Sequence, residues 1–216
     1  MGRNRDRAAE APKLRTSDFE RLRFEGMTFA GRYKLLTGAV VPRPIAFVSS
    51  LNHDGSVNAA PFSSFMIASV EAGYLAFSVG PGDTVEKETL RNIRRTQEFV
   101  INTVSEELAK EVQFCGDEYP PGTQKIAVAR LQLIASDRIK TPRIANTKIQ
   151  FECGLHKIVR FGGSHMVVGE VLLMHAEKGL VRNGKIDCGS RKEDADFAPM
   201  DRPQQKVETS RLIRML

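Results

Sequence analysis

The sequence has no tryptophan, only three tyrosines, three cysteines and four histidines among its 216 residues. Cys115, Cys153 and Cys188 lie far apart and form no CxxC pair, which leaves neither a disulfide framework nor a zinc knuckle. His53, His156, His165 and His175 show no HExxH spacing, so no metal site is expected. No run approaches the roughly 18 consecutive apolar residues of a membrane helix. The opening Met1–Asp6 lacks the apolar stretch of a secretory signal, and Asp6 stands where myristoylation of Gly2 needs Ser or Thr. These absences predict a cytoplasmic protein with no membrane segment. Nucleotide signatures are also missing. The nearest approach to GxGxxG is Gly80-Pro81-Gly82-Asp83-Thr84-Val85, and neither a Walker loop nor a GxSxG elbow occurs. A Rossmann site is therefore not supported.

What is present fits an ordinary globular chain, with 41% apolar and 27% charged residues. The net charge of +6 could suggest nucleic acid, but its placement argues otherwise. Residues 1–34 hold nine Lys/Arg against five Asp/Glu, while 35–190 hold 17 against 16. A nucleic-acid binder carries its basic excess on the folded body. Here most of it sits in a leading segment, so no nucleic-acid partner is expected.

The chain reads as an N-terminal arm or surface helix over residues 1–30, a folded domain over 31–190 and a weakly patterned tail over 191–216. Pro44–Ser50 is β-rich, Asn52–Ser56 has turn chemistry, and Val57–Ala60 begins a return strand. A further strand is expected at Gly73–Val79, a helix at Thr89–Thr96 and a strand at Phe99–Val104. Ser105-Glu106-Glu107 starts a second helix running to Phe114, with a capping side chain followed by acids in the first turn. Gln150–Val159 and Met166–Ala176 complete the strands. Many short strands, two interposed helices and no βαβ rhythm predict a mainly β fold built as a barrel.

The densest segment is Arg43-Pro44-Ile45-Ala46-Phe47-Val48-Ser49-Ser50, then Asp54-Gly55-Ser56-Val57-Asn58-Ala59-Ala60-Pro61-Phe62-Ser63-Ser64-Phe65. Lys87-Glu88-Thr89-Leu90-Arg91-Asn92-Ile93 follows, then Glu152-Cys153 and Ser164-His165-Met166-Val167-Val168-Gly169-Glu170-Val171. Taken alone, Ser63-Ser64 reads as a polar strand end, Lys87–Thr89 as a helix start, and His165 as a barrel histidine. Together the segments resemble the flavin reductase-like family of FMN-binding split β-barrels over residues 35–175. Two departures stand out. Glu88 occupies the place of the family's Asp in Lys-Asp-Thr, and Phe197–Arg202 lacks the glycines and tyrosine of the family's closing segment.

The resemblance implies an FMN site on Ser49, Asn58, Ala59, Ala60, Pro61, Ser63, Ser64, Lys87 and Thr89, with His165 near the reacting ring. A phosphate favours hydroxyls, a cation and free N–H groups at a helix start, and small residues let backbone approach a ring edge. The implied activity is an NAD(P)H-dependent FMN reductase passing hydride from NADH or NADPH to flavin N5. The implied assembly is a homodimer, serving a partner oxygenase or redox protein. A flavoredoxin-like FMN electron carrier that ignores NAD(P)H is the alternative, and a flavin store without turnover a third.

Overall fold

The computed structural model describes residues 19–81, 86–117, 119 and 123–186, in two compact units, residues 1–41 and 42–216. The predicted tail 191–216 lies outside the described residues. In the first unit, α1 (Phe29–Ala39) begins where Thr28 Oγ1 accepts the Gly31 N–H at 3.2 Å. The arm or surface helix expected over residues 1–30 thus overlaps only the first two residues of α1. Phe29, Tyr33, Leu36 and Val40 do recur at helical spacing, but two glycines and the lack of an acidic first turn obscure it. Not one residue of α1 is buried.

The second unit runs β1 (Ala46–Leu51), β2 (Val57–Phe62), β3 (Phe65–Ser69), β4 (Tyr74–Val79), α2 (Glu88–Thr96), β5 (Glu98–Thr103), α3 (Ala109–Gly116) and α4 (Lys125–Val128). Then come β6 (Leu133–Ile134), β7 (Arg143–Ile144), β8 (Ile149–Phe161), β9 (Ser164–Ala176), β10 (Val181–Arg182) and β11 (Lys185–Ile186). The expected strands and helices appear within a few residues of their predicted ends. The second predicted helix opens as a 3-10 turn, Glu106–Leu108, before α3. β3 was not foreseen, because Phe65–Ser69 follows β2 so closely that it reads as a continuation.

Seven strands form one antiparallel sheet in the order β2-β1-β5-β8-β9-β4-β3. Its two edge strands, β2 and β3, are consecutive in the chain and joined only by Ser63 and Ser64. Three Cα steps reach at most about 11 Å, whereas the edges of a flat seven-stranded sheet stand roughly 29 Å apart. The sheet must therefore curl until its two edges converge at that link. The ring contacts show it: Phe62 of β2 lies 4.9 Å from Phe77 of β4, between centroids, and Phe77 meets Phe99 edge-on at 5.6 Å. The result is a split β-barrel.

Strand alternation then sorts the side chains. Ala46, Val48, Phe77, Val79, Phe99, Ile101, Cys153 and Val167 fill the barrel, joined by Leu90 and Ile93 of α2. Phe47, Ala59 and Ile144 lie on the other face and pack against Val112 and Cys115 of α3. Gly169 of β9 has no room for a side chain, since a Cβ there would run into the Phe99 ring and Cys153.

Two carboxylates hold the excursion between β6 and β7. Glu98 Oε1 accepts the N–H groups of Lys140 and Thr141 at 2.9 and 2.8 Å. Glu152 is fully buried; it accepts from Asp137 N and Arg138 N at 2.9 and 2.7 Å and meets His175 Nε2 at 2.6 Å. Burial alone would raise the Glu152 carboxyl, but the two backbone donors and His175 overcome it and hold it below the ordinary carboxylate value. The stabilisation from a lowered carboxyl is complete above the unfolded value, near 4.5, and is lost as the pH falls through the folded value. Glu152→Gln should cost about 1.5–3 kcal/mol at pH 7. Urea unfolding at pH 7 and in acid should show the gap to wild type closing as pH falls; a constant gap would contradict the anchor.

Candidate functional site

The first hairpin and α2 meet through a set of amide and hydroxyl groups. In the ladder Ser50 stands opposite Asn58, so both point to the face that α2 covers. Asn58 Nδ2 donates to Thr89 Oγ1 at 2.9 Å, both residues being buried. One turn on, Asn92 Nδ2 donates to Ser50 Oγ at 3.2 Å and to Asn52 Oδ1 at 2.7 Å. Asn52 Nδ2 reaches Ser56 Oγ at 3.0 Å, and Arg95 Nη2 reaches the Leu51 carbonyl at 2.6 Å. Leu90 and Ile93, between these polar positions, plug the barrel. Deleting one partner of such a buried pair strands the other, at about 1–3 kcal/mol. The start of α2 is thus fixed relative to β1 and β2.

The structure divides the residues singled out in the sequence. Asn58 and Ala60 lie on the α2 face of β2. Thr89 is in the first turn of α2, and Lys87 is exposed just before it. Ser63 and Ser64 form the link between the sheet edges, Ser63 half-buried and Ser64 exposed, with the Ser64 carbonyl accepting the Ser78 N–H at 3.0 Å. Ser49, Ala59 and Pro61 point to the opposite face. The Ser49 hydroxyl is fully buried there, donating to the Pro142 carbonyl at 2.8 Å and accepting from Asn102 Nδ2 at 3.3 Å. His165 sits half-buried near the start of β9, across from Val79 and Arg160, and takes no part in the bonds between α2 and the hairpin.

Ser50, Asn52 and Asn92 were not singled out. Two signals could have found them: Ser50 is one step from Ser49, so only one of the pair can share a face with Asn58, and Asn92 lies three residues after Thr89 on a helix. Beside this group, a cleft of about 560 Å³ opens between the β1–β2 turn, the outer face of α2 and residues Thr123–Ala127.

Asp137, Glu152 and His175 bring metal-ligand types together, their ligand atoms all within 4.8 Å. The Glu152 oxygens are already engaged by N–H donors, and the Arg143 guanidinium lies 3.6 Å from one of them. A cation would meet that guanidinium, and the arrangement reads as a loop anchor.

A half-barrel closed by a two-residue link, with one helix pinned to its first hairpin, defines a split β-barrel protein. The family model described as "Flavin reductase like domain" matches residues 37–191. A protein of Aquifex aeolicus is 42% identical over 146 residues, which cover 67% of this chain and 74% of that one. The crystal structure of the 2-nitrobenzoate 2-nitroreductase NbaA of Pseudomonas fluorescens superposes with a TM-score of 0.70 at 34% identity, covering 78% of this chain and 82% of that one. Nitrilotriacetate monooxygenase component B of Bacillus cereus gives a TM-score of 0.75 at 29% identity, covering 78% and 86%. The chain belongs to the flavin reductase-like family.

At the start of the nine-residue α2, Asn58 and Thr89 are bonded to each other and Lys87 stands exposed just before them. The first N–H groups of a helix have no partner within it and favour an anion. Among the described residues, no helix is long and apolar enough to cross a membrane.

Proposed function

We propose that the protein binds FMN and reduces it with NADH or NADPH. The observation that carries this reading is the start of α2, where the Asn58–Thr89 bond fixes the helix against β2 and Lys87 stands exposed beside it. Lys87 would meet the phosphate, the first N–H groups of α2 would complete its cradle, and Ser63 and Ser64 would serve the ribityl chain. Ala60, on the same face of β2 as Asn58, offers a small side chain where backbone can approach the ring edge. Bound there, the flavin would take a hydride from the nicotinamide and pass electrons onward. The protein's part is orientation, which needs no strong acid or base. His165 would lie along the ring's approach.

Nitrilotriacetate monooxygenase component B is named as one part of an oxygenase. It supports a role supplying reduced flavin to a partner. The electron-carrier alternative is decided by anaerobic titration. NADH or NADPH should bleach bound flavin; bleaching by dithionite alone would transfer the assignment to a carrier.

Lys87→Ala removes one charge-assisted hydrogen bond, worth about 1.5–3 kcal/mol, or roughly 10- to 150-fold in FMN affinity. Riboflavin, which lacks the phosphate, should bind as before. Equal losses for both ligands would place Lys87 away from the phosphate.

A homodimer completes the proposal. The edge strand β3 carries Met66 at 51% and Ile67 at 65% exposure, Val70 follows at 85%, and β9 exposes Leu172 and Met174. Apolar groups on an open edge favour a covering partner. With FMN bound, light scattering should exceed the 24.0 kDa monomer mass; a monomer at micromolar concentration would contradict the dimer.

A further inference from the structure

The cleft beside α2 has a chemistry of its own. Its walls present Arg91 and Arg95 from α2 and Lys125 from α4, against Glu88 and Asp54. Asp54 is turned into its own hairpin, accepting from Ser56 N and Oγ at 3.0 and 2.6 Å, and those bonds hold its carboxyl below the ordinary value. Among the described residues Arg91 has a 3.8 Å contact with Glu88, and about half of its side chain is open to water. Arg95 spends one of its five N–H donors on the Leu51 carbonyl. Lys125 Nζ is turned to its own loop, donating to the Cys115 and Asp117 carbonyls at 3.0 and 3.1 Å. The two guanidinium groups therefore retain donors that the acids do not use up. The floor holds the buried amides of Asn58 and Asn92, and Val57, Ile126 and Leu133 supply apolar surface. At about 560 Å³ the cleft is of small-molecule size.

Guanidinium donors beside an apolar wall match a phosphate and the flat face of a heteroaromatic base. The cleft shares Asn52, Ser56, Asn58, Asn92 and Arg95 with the polar group between α2 and the first hairpin, and Glu88 is the first residue of that helix. A ligand whose phosphate lies at that helix start would extend into it. The sequence also has no GxGxxG turn to receive an adenylate elsewhere. We infer that the cleft is a subsite for the adenylate half of a dinucleotide. That its source is FAD or the nicotinamide cofactor rests on the proposed flavin chemistry; the binding of adenylate itself rests on the cleft alone.

The test is calorimetric titration of AMP into the protein preloaded with FMN. AMP should bind, Arg91→Ala should weaken it roughly tenfold, and Arg91→Lys should restore most of the affinity. FMN affinity should stay within a factor of about two in both variants. No AMP binding at millimolar concentration, or binding indifferent to Arg91→Ala, would overturn the subsite. The same variants separate the sources. A fall in FAD affinity relative to FMN assigns the adenylate to FAD, and a rise in the NADPH dissociation constant with both flavins unchanged assigns it to the nicotinamide cofactor. If AMP binding weakens but neither dinucleotide responds, the dinucleotide assignment is overturned. Should FMN itself fail to bind, the flavin reading falls, and AMP titration of the protein without FMN decides the cleft.

Discussion

The two-residue link between β2 and β3 is the constraint on which the molecule depends. These strands are the opposite edges of a seven-stranded sheet, and Ser63 with Ser64 is all that separates them in the chain. No flat arrangement can satisfy so short a tether. The curl it imposes brings Phe62 onto Phe77 and creates an interior that Leu90 and Ile93 of α2 can stopper. The link itself, lying where the two edges converge, is placed by the closure it enforces.

From that curl follows a division of labour between the two faces of the first hairpin. The face toward α2 carries Ser50 and Asn58, which meet helix side chains at fixed distances. The face toward α3 carries Phe47, Ser49 and Ala59, packed or hydrogen-bonded inside the second core. Buried polar groups act differently on the two sides. Asn58, Thr89 and Asn92 fix a helix start. Asn102 and Glu152, with the half-buried Glu98, tie down the chain from β6 into β7, Asn102 Oδ1 accepting the Ile144 N–H at 3.0 Å. Rigid support for one site thus comes from satisfied polar bonds as much as from apolar burial.

Much of this could be read in the sequence because β-rich runs and turn residues carry local signals. The hairpin after Ala46, the helix at α2 and the long strands β8 and β9 are of that kind. β3 escaped notice because no turn residue beyond two serines marks the break after Phe62, although the chain there passes from one sheet edge to the other. α1 escaped because Gly31, Gly38 and the lack of an acidic first turn obscure its helical spacing. For the candidate site, the motifs singled out Asn58, Lys87 and Thr89, which the fold gathers at the start of α2, but could not separate Ser49 from Ser50. That distinction is a matter of strand parity against a helix that arrives from about forty residues later, as the Asn92–Ser50 bond shows. The cleft has no linear signature, since its residues come from the β1–β2 turn, α2 and α4.

The order of the sheet also bears on how the chain reaches its native state. The β1–β2, β3–β4 and β8–β9 pairs are neighbours in sequence and can form as local hairpins. Everything that joins them is distant: Ala46 pairs with Thr103, Asn102 with Gln150, and Tyr74 with Glu170. Contacts of such separation slow folding, because loop closure comes before any reward from burial. A chain emerging from the ribosome would hold the first two hairpins, tethered by Ser63 and Ser64, with an open gap on the far side. β5, β8 and β9 must fill that gap, and until β9 docks on β4 the inner edge of β4 stays unpaired.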